Sequence, residues 1–271
     1  MSVSRPTTFD PHYLRYLGDL GATNLHAAAA VATERLRSAL ALEPGKRVLD
    51  VGCGTGSTIL KFASQLSIHV DGVDFLEEML RVARVRLRVA GLRNGLVQAD
   101  ATLALPFRNE TYDAVFTESV LGIQPPESAA TFLNEVWRVL KVGGRFAANE
   151  GVWKTGTSQH IIAAINEACM KDFGFSVASC AGWSKDDWIL CMRRAGFTVV
   201  GTESLNLHAP ATVDHSMIAH FSRLVTLAFR LRAMLNPRLF GLRRHYQQLL
   251  EKHRDDHHHI EANLFVAIKT Y

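Results

Sequence analysis

Cysteine is scarce in this chain of 271 residues: four, at Cys53, Cys169, Cys180 and Cys191, with no Cys-x-x-Cys pair. That argues against a disulfide framework and fits a reducing compartment, so a cytoplasmic protein is expected. The opening residues, Met1-Ser-Val-Ser-Arg-Pro-Thr-Thr-Phe-Asp10, lack the apolar core of a signal peptide. No stretch approaches the ~20 apolar residues of a membrane span, so no stable membrane insertion is expected. Hydrophobic residues are not in short supply. At 48% of the chain they exclude disorder as the default and allow one α/β domain with an appended cap. Nor does one sign of charge dominate, the net being +4. The positive charge is instead local: Ser216–Arg254 holds seven arginines and Lys252 against the single acid Glu251, a net +7 that leaves −3 elsewhere. A solvated helix face accounts for such a run, and so does attraction to an anionic partner.

What is present is concentrated in Val48-Leu-Asp-Val-Gly-Cys-Gly-Thr-Gly56. Val48, Leu49 and Val51 suit a strand buried on both faces. Gly52, Gly54 and Gly56 permit a tight turn in which backbone can approach a ligand. A helix starting near Ser57 would present unpaired N–H groups at its first turn. Together these make a nucleotide-type pocket. The G-x-G-x-G spacing differs, however, from the G-x-G-x-x-G of dinucleotide folds.

Further segments follow in order. Ile68–Asp74 reads as a second strand, leading into Glu77-Glu-Met-Leu80. A third ends at Val97-Gln-Ala-Asp100-Ala101, before Leu105-Pro-Phe107. A fourth is Tyr112-Asp-Ala-Val-Phe116, and Glu135 to Phe146 contains Gly143-Gly144. With the glycine turn as motif I, residues 40–150 resemble the class I S-adenosylmethionine-dependent methyltransferases, in the small-molecule branch of ubiquinone and menaquinone type. The resemblance implies a seven-stranded Rossmann-like sheet, mostly parallel with its last strand antiparallel. Helices would cover both faces, and S-adenosylmethionine would be the cofactor. Val142 stands where the family usually has proline before the glycine pair, and Val120-Leu-Gly-Ile123 lacks the histidine often found after the fourth strand.

The same resemblance assigns the cofactor contacts. Gly52, Cys53 and Gly54 would wrap the amino-acid end by backbone, with Gly56 packing helix against strand and Asp50 binding the ammonium. Asp74 would accept from both ribose hydroxyls, as the ribose acid of dinucleotide sites does. Asp100 would accept from the adenine amine and the Ala101 N–H would donate to the ring, with Phe75, Leu76, Met79 and Leu105 as apolar neighbours. Glu118 would contact the methionine portion or the substrate. Where a nucleophile must lose a proton, the candidate bases are Glu150, Glu118, His160 and His26. Glu150 and Glu118 are preferred, because strand ends point into the crevice. His253 with His257-His258-His259 invites a metal reading, but a solvated loop is simpler and no metal is expected.

Helical spacing of Leu25, Ala28, Ala32, Leu36 and Leu40 marks an N-terminal helical segment over 1–42, with the methyltransferase domain at 43–271. Past Glu150, a helix is expected over 157–172. A capping-box start at Ser184-Lys-Asp-Asp187 opens another, and strands at Phe197–Leu205 and Asn263–Lys269 close the domain. About fifty residues separate those last two strands, too many for a bare turn. An insertion at about 208–258 is expected to form a helical cap over the carboxyl ends of the strands. In it Met217, Phe221, Leu224, Ala228, Leu231 and Leu235 make an apolar stripe, widened by Ile218, Val225 and Phe229. A dimer interface, giving a homodimer, and adsorption to an anionic membrane are the other readings.

The expected function is methyl transfer to a small apolar or amphipathic metabolite at oxygen or carbon. The alternatives are cofactor binding without turnover and methylation of a lipid at a membrane surface. A nicotinamide-dependent oxidoreductase is disfavoured by the glycine spacing and by Asp100-Ala101. Nucleic acid is not an expected partner, since no Asn/Asp-Pro-Pro-Tyr segment follows the fourth strand and no basic stripe with aromatics lies beside motif I.

Overall fold

Val48 and Leu49 point to opposite faces of one strand, and each finds a different core. In the computed structural model, which describes residues 10–23, 28–66, 68–205 and 216–271, that strand is β1 (Arg47–Val51). It sits centrally in a sheet ordered β3-β2-β1-β4-β5-β7-β6. The others are β2 (His69–Asp74), β3 (Leu96–Gln98), β4 (Tyr112–Glu118), β5 (Leu140–Trp153), β6 (Phe197–Leu205) and β7 (Ile260–Lys269). Strands β1 to β5 pair in parallel, and β7 runs antiparallel to both β5 and β6. Because β1 lies between β2 and β4, the connections leave it in both directions. A crevice therefore opens beyond the carboxyl ends of β1 and β4.

One face of the sheet is covered by α2 (Ala29–Leu40), α3 (Ser57–Leu66) and α4 (Glu77–Val89), which bury Leu36, Ile59, Phe62, Leu80 and Leu87. The other carries α5 (Pro126–Val139) and α7 (Lys185–Arg194), with Phe132, Val136, Trp188 and Met192. Asp187 accepts the Ser184 N–H at 2.9 Å, the capping contact read from the sequence. Of the N-terminal stripe, Ala32, Leu36 and Leu40 are buried against the sheet, while Leu25 lies outside the described residues.

A shorter helix, α1 (His12–Asp19), does not join that layer. Its Gly18 packs on Glu78 in the first turn of α4, and its Tyr16 shares a cluster with Trp153 at the end of β5. It thus bridges the carboxyl edge of the sheet. The same cluster takes in α6 (Gln159–Phe173) and Tyr246 of α9 (Pro237–Lys252).

The insertion between β6 and β7 is a helical hairpin, α8 (Met217–Met234) and α9, whose turn is capped by Asn236 accepting from the Arg238 and Leu239 N–H groups. Its orientation corrects the sequence-based expectation. Val225 and Phe229 are the residues that bury, against Val82 and Val85 of α4. Leu224, Leu231 and Leu235 of the expected stripe are exposed by 58%, 52% and 86%. Helix α8 carries apolar residues on two faces, and only one can meet the outer side of α4. The hairpin accordingly lies along α3 and α4 and reaches the carboxyl edge through α9 and α1.

Candidate active site

The turn after β1 needs its glycines for a left-handed backbone: φ is +81° at Gly52 and +52° at Gly54. A Cβ on Gly52 would lie 2.2 Å from Val120 Cγ2, in the loop after β4. The turn directs its donors inward. Gly52 and Cys53 N–H donate to the Val73 carbonyl, Gly54 N–H to Asp74 Oδ2 at 2.8 Å, and Gly56 N–H to the Cys53 carbonyl. Four of the turn's N–H groups are thus held by bonds within the protein.

Its electrostatics favour a positive charge. Asp50 is 3% exposed, and its carboxyl is pushed well up by burial, then by the neighbouring Glu118 and Asp74. Asp74, accepting from Gly54 and Leu76 N–H, is raised to about 6 by burial despite those bonds. Glu118 accepts from Thr58 Oγ1 at 2.7 Å and Thr33 Oγ1 at 3.1 Å. Three acids crowded beside the turn lower their energy when a cation arrives. A sulfonium nucleoside with an ammonium group fits this demand.

A small cavity of about 30 Å³ adjoins this turn, lined by Gly52, Asp74, Phe75, Asp100, Ala101 and Val120 among others. Asp100 Oδ1 accepts from Thr102 N–H and Oγ1, which fixes its carboxylate at the end of the third strand's loop. Met79 is buried but does not line this cavity. The Cys53 side chain packs into the core beside Gly72, leaving only its backbone to the turn. Gly56 makes its close approach to Ala83 of α4 and not to a strand: a Cβ there would lie 2.9 Å from that of Ala83.

Two of the expected bases lie elsewhere. Glu150 is 1% exposed and accepts from the Val120, Leu121 and Gly122 N–H groups at 3.0, 3.1 and 3.0 Å. Burial raises it to about 7, and the three donors oppose that rise. It is an anchor beneath the loop that carries Val120, not a carboxylate projecting into the crevice. His160 is exposed in the first turn of α6, and His26 lies outside the described residues. The histidine run is also divided. His257–His259 form a short 3-10 turn, whereas His253 lies between Asp172 (2.9 Å) and Asp256 (2.5 Å), with Cys169 Sγ 3.6 Å away. Cys169, His253 and Asp256 bring three donor atoms within 4.8 Å of one another. The two carboxylates satisfy the imidazole and fasten α6 to the end of α9.

Sequence reasoning missed Arg86, which is 1% exposed. From α4 it donates to the carbonyls of Thr55 in the motif I turn and Gly21 after α1, and to Thr226 Oγ1 of α8 at 3.1 Å. Arg86 and Arg88 in the last turn of α4 also complement the helix dipole. Only the fold brings turn, N-terminal segment and hairpin to this one guanidinium.

A family profile described as "Methyltransferase domain" matches residues 48–144, from β1 into β5. Residues 48–144 thus carry a methyltransferase domain. A Haemophilus influenzae protein described as uncharacterized is 29% identical over 190 residues, 70% of this chain and 73% of that one. The demethylmenaquinone methyltransferase of Listeria welshimeri is 34% identical over 108 residues, 39% of this chain and 45% of the relative. The chain thus spans less than half of that named relative. Among solved structures, the [4+2]-cyclase SpnF superposes with a TM-score of 0.72 at 18% identity, covering 99% of this chain and 98% of that one. At that identity the likeness is one of fold. Among the described residues, no helix is long and apolar enough to cross a membrane.

Proposed function

We propose that this methyltransferase transfers a methyl group to a small apolar or amphipathic metabolite at oxygen or carbon. The observation that carries the reading is the acidic trio Asp50, Asp74 and Glu118 beside a glycine turn four of whose N–H groups bond within the protein. Bound S-adenosylmethionine supplies an activated methyl on a positively charged sulfur. In this reading Asp50 and Glu118 hold the ammonium and methionine portion, Asp74 orients the ribose, and Asp100 with the Ala101 N–H fixes the adenine. The residues bind, align and exclude water, which suffices for an in-line displacement on an activated donor. Of the expected bases, Glu118 at the end of β4 remains the candidate, and Glu150 acts by positioning the Val120 loop.

The substrate class is supported by a groove of about 430 Å³ between α1 and the hairpin, walled by Tyr13, Leu17, Leu20 and Leu227 with Arg230 and Arg243. We take the α8–α9 hairpin as the substrate-facing cap on that ground, residues 208–215 of the expected insertion lying outside the described residues. An apolar body with one anionic or polar end matches this lining. The test is a metabolite screen with radiolabelled methyl donor. Label transfer to an amphipathic acceptor, lost in Asp50→Ala, supports the reading. Cofactor binding in calorimetry without transfer to any acceptor would leave a binding protein and remove the enzymatic proposal.

A further inference from the structure

Seven of the large hydrophobic residues exposed on this protein fall within the α8–α9 hairpin: Leu224, Leu227, Leu231, Met234, Leu235, Phe240 and Leu250. On α8 they lie opposite the buried Val225, Phe229 and Ala233, since a helix turns about 100° per residue. Arg223 and Arg230 border this outer stripe on one side and Arg232 on the other. The stripe continues onto α9, because Leu227, Leu231, Met234, Phe240 and Leu250 line one groove with Arg230 and Arg243. Among the described residues that groove holds no carboxylate. Arg254 pairs with Glu251. Within the described residues, Arg230, Arg232, Arg238, Arg243 and Arg244 are exposed and have no carboxylate at ion-pair distance.

We propose that the hairpin is a docking surface for an anionic phospholipid bilayer. The outer stripe would enter the boundary between headgroups and acyl chains. The flanking arginines would lie at headgroup level, their stems along apolar surface and their guanidinium groups on phosphates. The charge pattern selects this occupant over a second copy of the chain. A symmetric dimer through this face would set each arginine against its own equivalents, with Glu251 the one acid of the hairpin to relieve them. Docking this way would place the mouth of the groove at the bilayer, where an amphipathic molecule enters without crossing water. The surface is separate from the cofactor site, so its test does not depend on turnover.

The test is co-sedimentation of the full chain with vesicles of phosphatidylcholine alone, or containing about 30% phosphatidylglycerol. Binding to the anionic vesicles is expected to exceed binding to neutral ones at least about tenfold, and to weaken as salt rises through the physiological range. The double variant Leu231→Glu/Leu235→Glu alters only exposed positions. It should lose about tenfold in vesicle binding with its melting temperature and cofactor affinity unchanged. Arg230→Glu/Arg243→Glu should lose the preference for anionic lipid. Equal binding to both vesicle types, or binding unaffected by either variant, would overturn the proposal. So would a native dimer, seen by light scattering, that the leucine variant dissociates.

Discussion

Replacing Asp74 by alanine separates two roles that one carboxylate performs. Its oxygens accept the Gly54 and Leu76 N–H groups, so truncation strands two buried backbone donors. At about 1–3 kcal/mol each, that loss is about 2–6 kcal/mol. An opposing contribution comes from the charge. The native carboxyl is raised from 3.8 to about 6, chiefly by burial. Its contribution to stability is therefore complete below 3.8 and is lost as pH rises through 6. Above that pH, holding it ionised costs about 3 kcal/mol. Alanine has no such dependence. The variant should be destabilised by at most about 3 kcal/mol at pH 8, and by about 1 kcal/mol more at pH 5. Denaturant unfolding at the two pH values reads this difference. Calorimetry at pH 8 reads the other role, where loss of the acid should weaken S-adenosylmethionine binding roughly 5–150-fold. Unchanged affinity would remove Asp74 from the cofactor site, and a stability difference independent of pH would refute the buried-charge account.

The acidic trio also predicts that S-adenosylmethionine gains affinity over its uncharged-sulfur product, S-adenosylhomocysteine, as pH rises from about 5 to about 8. A constant affinity ratio across that range would count against recognition of the sulfonium. Glu150→Ala strands three N–H groups and should cost about 3 kcal/mol or more at about pH 4, where no ionisation penalty offsets the loss. Its kcat should fall further than its cofactor affinity, and melting and turnover both at native levels would refute the anchoring role. Gly52→Ala forces alanine to φ +81° and onto Val120, a backbone strain of about 1–2 kcal/mol before the clash. Adding Val120→Ala should restore the part of cofactor binding lost to the clash, and no recovery would place the damage in the backbone alone.

The local patterns were legible because they depend on near neighbours in the chain. Apolar runs gave strands buried on both faces, and alternating glycines gave the left-handed turn. Ser184 to Asp187 gave a helix start, and the position of each acid relative to a strand end marked Asp50, Asp74 and Glu118. Distant partners were not legible. In the sequence Glu150 reads as a strand end like Glu118, yet β5 runs on to Trp153 and the Glu150 oxygens are taken by a loop some thirty residues earlier in the chain. The inward donors of the motif I turn depend on β2, which no spacing within the turn reveals.

The sequence by itself determined the sheet, the cofactor family and the acids that border the crevice, because each follows from periodicity, backbone freedom or residue type within short segments. Tertiary structure decided which face of α8 is buried, which carboxylate anchors a loop, and that Arg86 joins three elements. Those outcomes depend on surfaces far apart in the chain competing for the same contacts. An amphipathic stripe states that a helix has an apolar face, but only the packing of Val225 and Phe229 on α4 leaves Leu224, Leu231 and Leu235 outward.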